Sequence, residues 1–173
     1  VRNSGLFEYV AIKSAKIAKG NPWKIMLFFT IITTVLSAFL DNVTTVLLVG
    51  PMTIAITGVL ELNPVPFLLT QILASNIGGT ATLIGDPPNI MIGSQADLSF
   101  VDFAVNTGPA VVIIMVAVCI CFYALYGRKM QVAQEKMAGV MELDENKSIK
   151  DHSLLVKSLV MIVLVVLGFV FHS

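Results

Sequence analysis

Two short polar segments interrupt strongly apolar sequence in this chain. The first is Asp41-Asn42-Val43-Thr44-Thr45. The second runs from Ser75-Asn76-Ile77-Gly78-Gly79-Thr80 to Gly85-Asp86-Pro87-Pro88-Asn89. No lysine or arginine occurs from Ile25 to Gly127, and the only charges there are Asp41, Glu61, Asp86, Asp97 and Asp102. The chain is 56% hydrophobic and 13% charged, against about half apolar and about a quarter charged for a soluble domain. Such sequence reads as an all-α polytopic membrane protein rather than a soluble core. Hydrocarbon offers free backbone groups no hydrogen bond, so irregular backbone at that depth must be buried in protein or line a wet cavity. The two breaks therefore point to helices that enclose an ion and substrate site, as in a secondary transporter.

The chain threads naturally around them. Residues 5–20 are amphipathic, with Phe7, Val10, Ser14 and Ile17 on one side and Lys13, Lys16 and Lys19 largely on another. They read as an interfacial helix with its lysines in the headgroups; the frayed end of a preceding span is the alternative. Gly20 is a stop, and Asn21-Pro22 opens the next element. The apolar limbs 23–40 and 46–60 are each short, since sixteen or so residues rise roughly 24 Å against a core of about 30 Å. With the polar tip between them they suggest a re-entrant hairpin over 23–60; two ordinary spans with a tight loop remain open. Gly50-Pro51 is expected to kink the second limb. Residues 64–93 form a broken helix, with a half-helix at 65–74, and residues 103–126 a full span. Residues 127–152 form a hydrophilic connector loop, and 153–173 start the next span. Basic residues cluster at Arg2–Lys24 and at Arg128–Lys150, so both regions are expected in the cytoplasm. An even number of crossings then joins them, which either reading of 23–60 satisfies. An opening on Val1 and a close on Phe171-His172-Ser173 within an apolar run lead us to expect a piece of a longer chain, with no signal peptide visible.

At the first break, one limb ends on unpaired carbonyls and the next begins on free N–H groups. Carbonyl ends and side-chain oxygens suit a small cation; the positive end of a half-helix suits an anion. Asp41, Asn42, Thr44 and Thr45 add hard oxygen ligands, right for Na⁺ and wrong for soft metals. At the second break, Gly78-Gly79 frees the backbone to take unusual angles, and Ser75, Asn76, Thr80 and Thr82 supply more oxygens. Asp86-Pro87 reads either as an N-cap with a first-turn proline or as an ion-binding or titrating carboxylate. Facing each other, the breaks would enclose one ion, with Asn42, Thr45, Asn76 and Gly78 as the candidate Na⁺ ligands. Lys24 and Glu61 read as interface residues.

At these residues "SAFLDNVTTVLL" and "SNIGGTATLIGDPPNIMIGS" resemble the ion transporter superfamily. Within it the match is to the arsenical-pump and sodium/proton-antiporter group, nearest the P-protein-like branch, with similarity also to citrate and dicarboxylate permeases. The resemblance covers nearly the whole chain. It implies two inverted repeats, each with an interfacial helix, a re-entrant hairpin, a broken helix and flanking spans, of which this chain matches the first. It places the hairpin-tip role on Asp41, Asn42, Thr44 and Thr45, and the broken-helix role on Asn76, Gly78, Gly79, Thr80, Asp86, Pro87 and Asn89. Related dicarboxylate carriers carry Ser-Asn-Thr at the tip; the added Asp41 departs from that pattern. A homodimer in the plasma (inner) membrane is a family-level expectation.

The leading reading is a secondary transporter of a small anion (arsenite, inorganic or carboxylate), coupled to Na⁺ or H⁺ by alternating access. A Na⁺/H⁺ antiporter without an organic substrate is the alternative, and a non-transporting scaffold a third. The expected partners are the lipid bilayer and a small ion, not nucleic acid, and no cofactor beyond the coupling ion is expected. No enzyme signature stands out: His152 and His172 lie at loop and terminus, and Ile77-Gly78-Gly79-Thr80 lacks the lysine of a phosphate loop. Cys119 and Cys121 point to nearly opposite faces of one helix, which argues against a shared metal.

Overall fold

The computed structural model describes residues 5–127, 130, 132–143 and 152–171. Arg2, Arg128, Lys129, Lys147, Lys150 and His172 lie outside these, as does the side chain of Phe7. Among the described residues the chain is helical throughout, with no strand. In order come α1 (Leu6–Ile17), α2 (Pro22–Ser37), α3 (Asn42–Val59), α4 (Val65–Gly79), α5 (Pro87–Ala96) and α6 (Phe100–Phe122). A π-helical turn, Tyr123–Gly127, extends α6; α7 (Gln134–Glu142) and α8 (His152–Phe171) follow.

Local chemistry sets the boundaries. Asn21 Oδ1 accepts from Lys24 N at 3.1 Å and Pro22 fills the first turn, so α2 starts where the sequence places it. Ser99 and Asp102 close a reciprocal capping box that opens α6. By length and composition, α3 and Phe100–Gly127 are long and apolar enough to cross a membrane, while α2 and α4 are shorter.

Helices α2, α3 and α4 form the centre. The short link 38–41 folds α3 back along α2, so that Phe29 and Ile32 lie beside Val49 and Met52. The turn at 60–64 reverses the chain again, and Gln71 Nε2 donates to Thr53 Oγ1 across α3 and α4. α4 therefore runs in the same direction as α2, with Thr30 near Thr70 and Ser37 Oγ donating to the Ser75 carbonyl at 2.7 Å. Ala11, Ala15, Ala18, Ile25, Met26, Phe29, Ile56, Leu60, Phe67 and Val140 make the main core. Buried threonines sit among them at little cost, because Thr30, Thr33, Thr57 and Thr70 each donate to a carbonyl in the preceding turn of their own helix.

Two expectations need correction. The first half-helix does not stop at residue 74: α4 continues through Gly79, and the irregular backbone is confined to 80–86. Ser75, Asn76, Gly78 and Gly79 are thus helical. On α1 the small residues Ala11, Ser14, Ala15 and Ala18 face the protein and Ile17 is 61% exposed, as an interfacial helix allows; small side chains let α1 approach α3 and α7. The connector also contains a helix, α7, with Val140 fully buried. As for Pro51, α3 is assigned as one helix from Asn42 to Val59 across it.

Gly78 shows what holds α2 against α4. A Cβ there would lie 2.3 Å from the Thr34 carbonyl oxygen and 2.8 Å from its Cα, and backbone cannot swing aside as a side chain can. Neither Gly78 nor Gly79 has positive φ, so Gly78 serves close packing rather than unusual backbone angles. Gly78→Ala is expected to cost about 1–3 kcal/mol through overpacking, read as a lower Tm of the full-length protein in detergent. Gly58→Ala, where an added Cβ meets nothing within 4 Å, is expected to leave Tm unchanged or raise it slightly.

Candidate functional site at the hairpin tip and helix break

The two polar segments meet. The tip of the α2–α3 hairpin lies against the end of α4 and the 80–86 break, joined by side chains from both. Asn42 Nδ2 donates to Asn76 Oδ1 at 3.0 Å. Thr82 Oγ1 donates to the Ala38 carbonyl, and Ser37 Oγ to the Ser75 carbonyl. Buried Asn89, in the first turn of α5, donates to the Gly79 and Thr82 carbonyls, each at 2.9 Å, and so holds the break closed across its width. Thr107 Oγ1 of α6 donates to the Ala81 carbonyl at 3.0 Å and ties the break to the long helix.

Most backbone groups expected to be free at the tip are occupied. At the end of α2 the Thr34 carbonyl accepts from Ala38 N, and the Leu36 carbonyl from Phe39 N and Leu40 N. At the start of α3, Asp41 takes the N-cap position. Its carboxylate accepts from Val43 N at 3.3 Å, Thr44 N at 2.8 Å and Thr44 Oγ1 at 2.5 Å. The positive end of α3 is therefore already neutralised by a carboxylate of the chain itself. The start of α5 is poor in donors for another reason: Pro87 and Pro88 have no N–H. Asp86 does occupy the N-cap position of α5, but its side chain makes no capping hydrogen bond.

Of the remaining candidates, Ser75 Oγ donates to the Ile72 carbonyl and Thr80 Oγ1 to the Ile77 carbonyl, so both hydroxyl protons are spent within α4. Thr45 differs. It is completely buried, and its hydroxyl oxygen has no hydrogen-bond partner. Every other described threonine hydroxyl donates to a neighbouring oxygen. Thr45 lies one turn beyond Asn42, on the same side of α3. Ser37, Gln71 and Thr107 organise this region too and were not among the expected site residues. Gln71 was legible as an uncharged polar residue inside an apolar half-helix; it is fully buried, and its Oε1 also lacks a partner. Nothing in the sequence singled out Ser37 or Thr107.

A separate cavity of about 790 Å³ lies elsewhere. It runs between α2 and α6, lined by Trp23, Leu27, Ile31, Val112, Met115 and Tyr123 among others. Its walls are almost wholly apolar, unsuited to an ion. Cys119 borders it and Cys121 is exposed; both thiols are free. Among the described residues no group of histidine, cysteine or carboxylate side chains is arranged to hold a metal.

Among the described residues, two apolar helices of membrane-crossing length and a polar junction of helix ends are the features of a helical membrane protein. The citrate transporter (CitMHS) family profile covers residues 1–173, and the chain belongs to that family. It is 45% identical over 172 residues to an uncharacterized transporter of Mycobacterium tuberculosis (strain H37Rv), covering 99% of this chain and 40% of that protein. It is 44% identical over 172 residues to a 46 kDa membrane protein of Mycobacterium leprae, again 99% of this chain and 40% of the relative. To the human P protein it is 42% identical over 121 residues, 69% of this chain and 14% of that one. The chain thus spans 40% of the length of its mycobacterial relatives. These matches bear out the superfamily resemblance and its P-protein-like character. The family and the M. tuberculosis relative are named transporters, not enzymes.

Asp41→Ala removes the cap of α3 and is expected to cost about 1 kcal/mol. Asp41→Asn keeps an acceptor oxygen at the cap and is expected to cost far less. Thermal unfolding of the two full-length variants beside wild type checks the difference.

Proposed function

We propose that this chain is the first of two inverted repeats in a secondary active ion transporter of the plasma (inner) membrane. The protein moves a small anion, coupled to Na⁺ or H⁺, by alternating access. The family's name favours a carboxylate such as citrate; arsenite or another inorganic anion is the other candidate class. In this reading α1 lies at the membrane interface, α2 and α3 form the re-entrant hairpin, α4 and α5 the broken helix, and α6 a full span. The exposure of Ile17 beside a buried alanine face on α1 supports its contact with lipid.

Thr45 carries the proposal. A hydroxyl oxygen left unpartnered in a fully buried position is costly, and it sits on the same side of α3 as the Asn42–Asn76 contact. A desolvated Na⁺ would use that oxygen. Asn42 and Asn76 oxygens and the Gly78 carbonyl complete a neutral, hard-oxygen ligand set around it. Asp41 already fills the anion-attracting end of α3 and Pro87-Pro88 disarm that of α5. This repeat then supplies the coupling-ion half of the site, and the transported anion gains its donors mainly from the rest of the protein. Ser75, Thr80, Thr82, Asp86 and Asn89 shape the break around it. The full transporter acts in the bilayer as a homodimer.

The Na⁺/H⁺ antiporter remains the second reading, favoured by the exposed carboxylate of Asp41 at the tip. One assay separates the two. Everted vesicles holding the full-length protein and a pH gradient receive NaCl, and a pH-sensitive dye is followed with and without citrate. Sodium-dependent uptake of labelled citrate supports coupled anion transport. Collapse of the gradient by Na⁺ alone, abolished by Asp41→Asn, supports antiport. In either case Thr45→Val keeps the shape and removes the oxygen, and is expected to raise the apparent Na⁺ requirement roughly tenfold or more, the equivalent of one charge-assisted ligand. Wild-type Na⁺ dependence in Thr45→Val would remove Thr45 from the site.

A further inference from the structure

We propose that α7 is a permanent strap: the connector helix grips the base of the α2–α3 hairpin and travels with it through the transport cycle. The motion in this statement rests on the transporter reading above; the docking does not. The sequence Gln134–Glu142 is short and polar, and a helix of that length is marginal on its own in water. Tertiary contacts therefore hold it, and three of them converge on one end of the α2–α4 unit.

The first is burial. Val140 is 0% exposed and belongs to the core formed with Ala18, Ile25, Leu60 and Phe67. The second is a backbone approach that only glycine allows. Gly20, in the turn before α2, has φ +69, and a Cβ there would fall 2.8 Å from Met137 Cα and 2.9 Å from its carbonyl oxygen. The third is at the turn between α3 and α4. Lys136 pairs with Glu61, a residue itself in left-handed conformation at φ +51. An added Cβ on Gly139 would sit 3.6 Å from Val59. The ion pair is exposed and adds little energy, but it fixes the register of the helix on the turn.

These contacts lie at the chain reversals around residues 18–21 and 59–64, the end of the hairpin opposite its tip. That end is a lever. α2 has 16 residues, roughly 24 Å of rise, so a tilt of about 10° at the base moves the tip about 4 Å. A displacement of that size breaks the 3.0 Å contact between Asn42 and Asn76 unless α4 moves equally. By clamping the start of α2 to the α3–α4 turn, α7 makes the hairpin and α4 tilt as one body. The connector thus joins α6, through the π-helical turn, to that body rather than hanging loose between spans.

The test uses full-length transporter with Cys119 and Cys121 replaced by alanine, carrying Val59→Cys together with Gly139→Cys. The sulfur at 59 would take the place of a Val59 methyl already 3.6 Å from the new Cβ. Copper-phenanthroline oxidation is expected to form the disulfide in high yield, read as loss of maleimide-polyethylene glycol labelling. Val140→Asp is expected to lower that yield severalfold. In proteoliposomes, the locked protein is expected to take up labelled citrate within about twofold of the dithiothreitol-reduced protein. Arrest of uptake on locking, restored by reduction, would overturn the proposal, because α7 would then have to release. So would failure of the disulfide to form, or a yield indifferent to Val140→Asp. If reduced protein shows no uptake of labelled citrate or arsenite and no Na⁺-driven proton movement, the transporter reading fails instead, while the disulfide yield still decides whether α7 is docked.

Discussion

The close approach of α2 to α4 is the contact on which the other features depend. It brings the Gly78 Cα to the Thr34 backbone and lets Ser37 reach the Ser75 carbonyl. Because α4 ends there, the same approach delivers the 80–86 break to the hairpin tip. Thr82 can then satisfy the Ala38 carbonyl, and Asn42 can meet Asn76. A side chain at position 78 would separate the helices by more than a hydrogen bond tolerates, and every polar link across the junction would lengthen together. The junction is thus a by-product of helix packing, placed by a residue that contributes no side chain to it.

Polar groups inside this apolar fold are managed economically. Most threonine hydroxyls of α2 and α3 bond back to their own helix, which adds no demand on neighbouring elements. Asn89 satisfies two carbonyls of the break with one amide, and Asp41 satisfies the N–H groups of α3. Against that background the unpartnered oxygens of Thr45 and Gln71 stand apart. Thr45 lies beside the junction of the two breaks. Gln71 lies deeper, bonded through its amide nitrogen to Thr53 between α3 and α4.

The order of the helices was legible because Asn21-Pro22 and Asp86-Pro87 carry local start signals and polar segments separate the apolar runs; the caps at Asp41 and at Ser99–Asp102 emerged only in the structure. The extent of α4 was not legible. Ser75, Asn76, Gly78 and Gly79 are weak helix formers, so composition alone ends the helix early. Packing against Thr34 and Ser37 carries it one turn further. The protein-facing side of α1 was not legible, because its close contact with α3 and α7 is made by alanines that hydropathy does not single out. The helix in the connector was invisible because Gln134–Glu142 is mostly polar, and Val140 is buried only once the two turns it covers exist.

Sequence by itself determined the membrane character, the helical class, and the position of both polar segments with their oxygen-bearing side chains. These follow from hydropathy, capping and turn chemistry, which act within a few residues. Only the tertiary structure decided that the two segments touch, that Asp41 spends its charge on α3, that Thr45 rather than Thr44 is left without a partner, and that α7 closes the base. Those outcomes depend on how near two helices can come, a distance set between residues far apart in the chain and therefore absent from any local pattern.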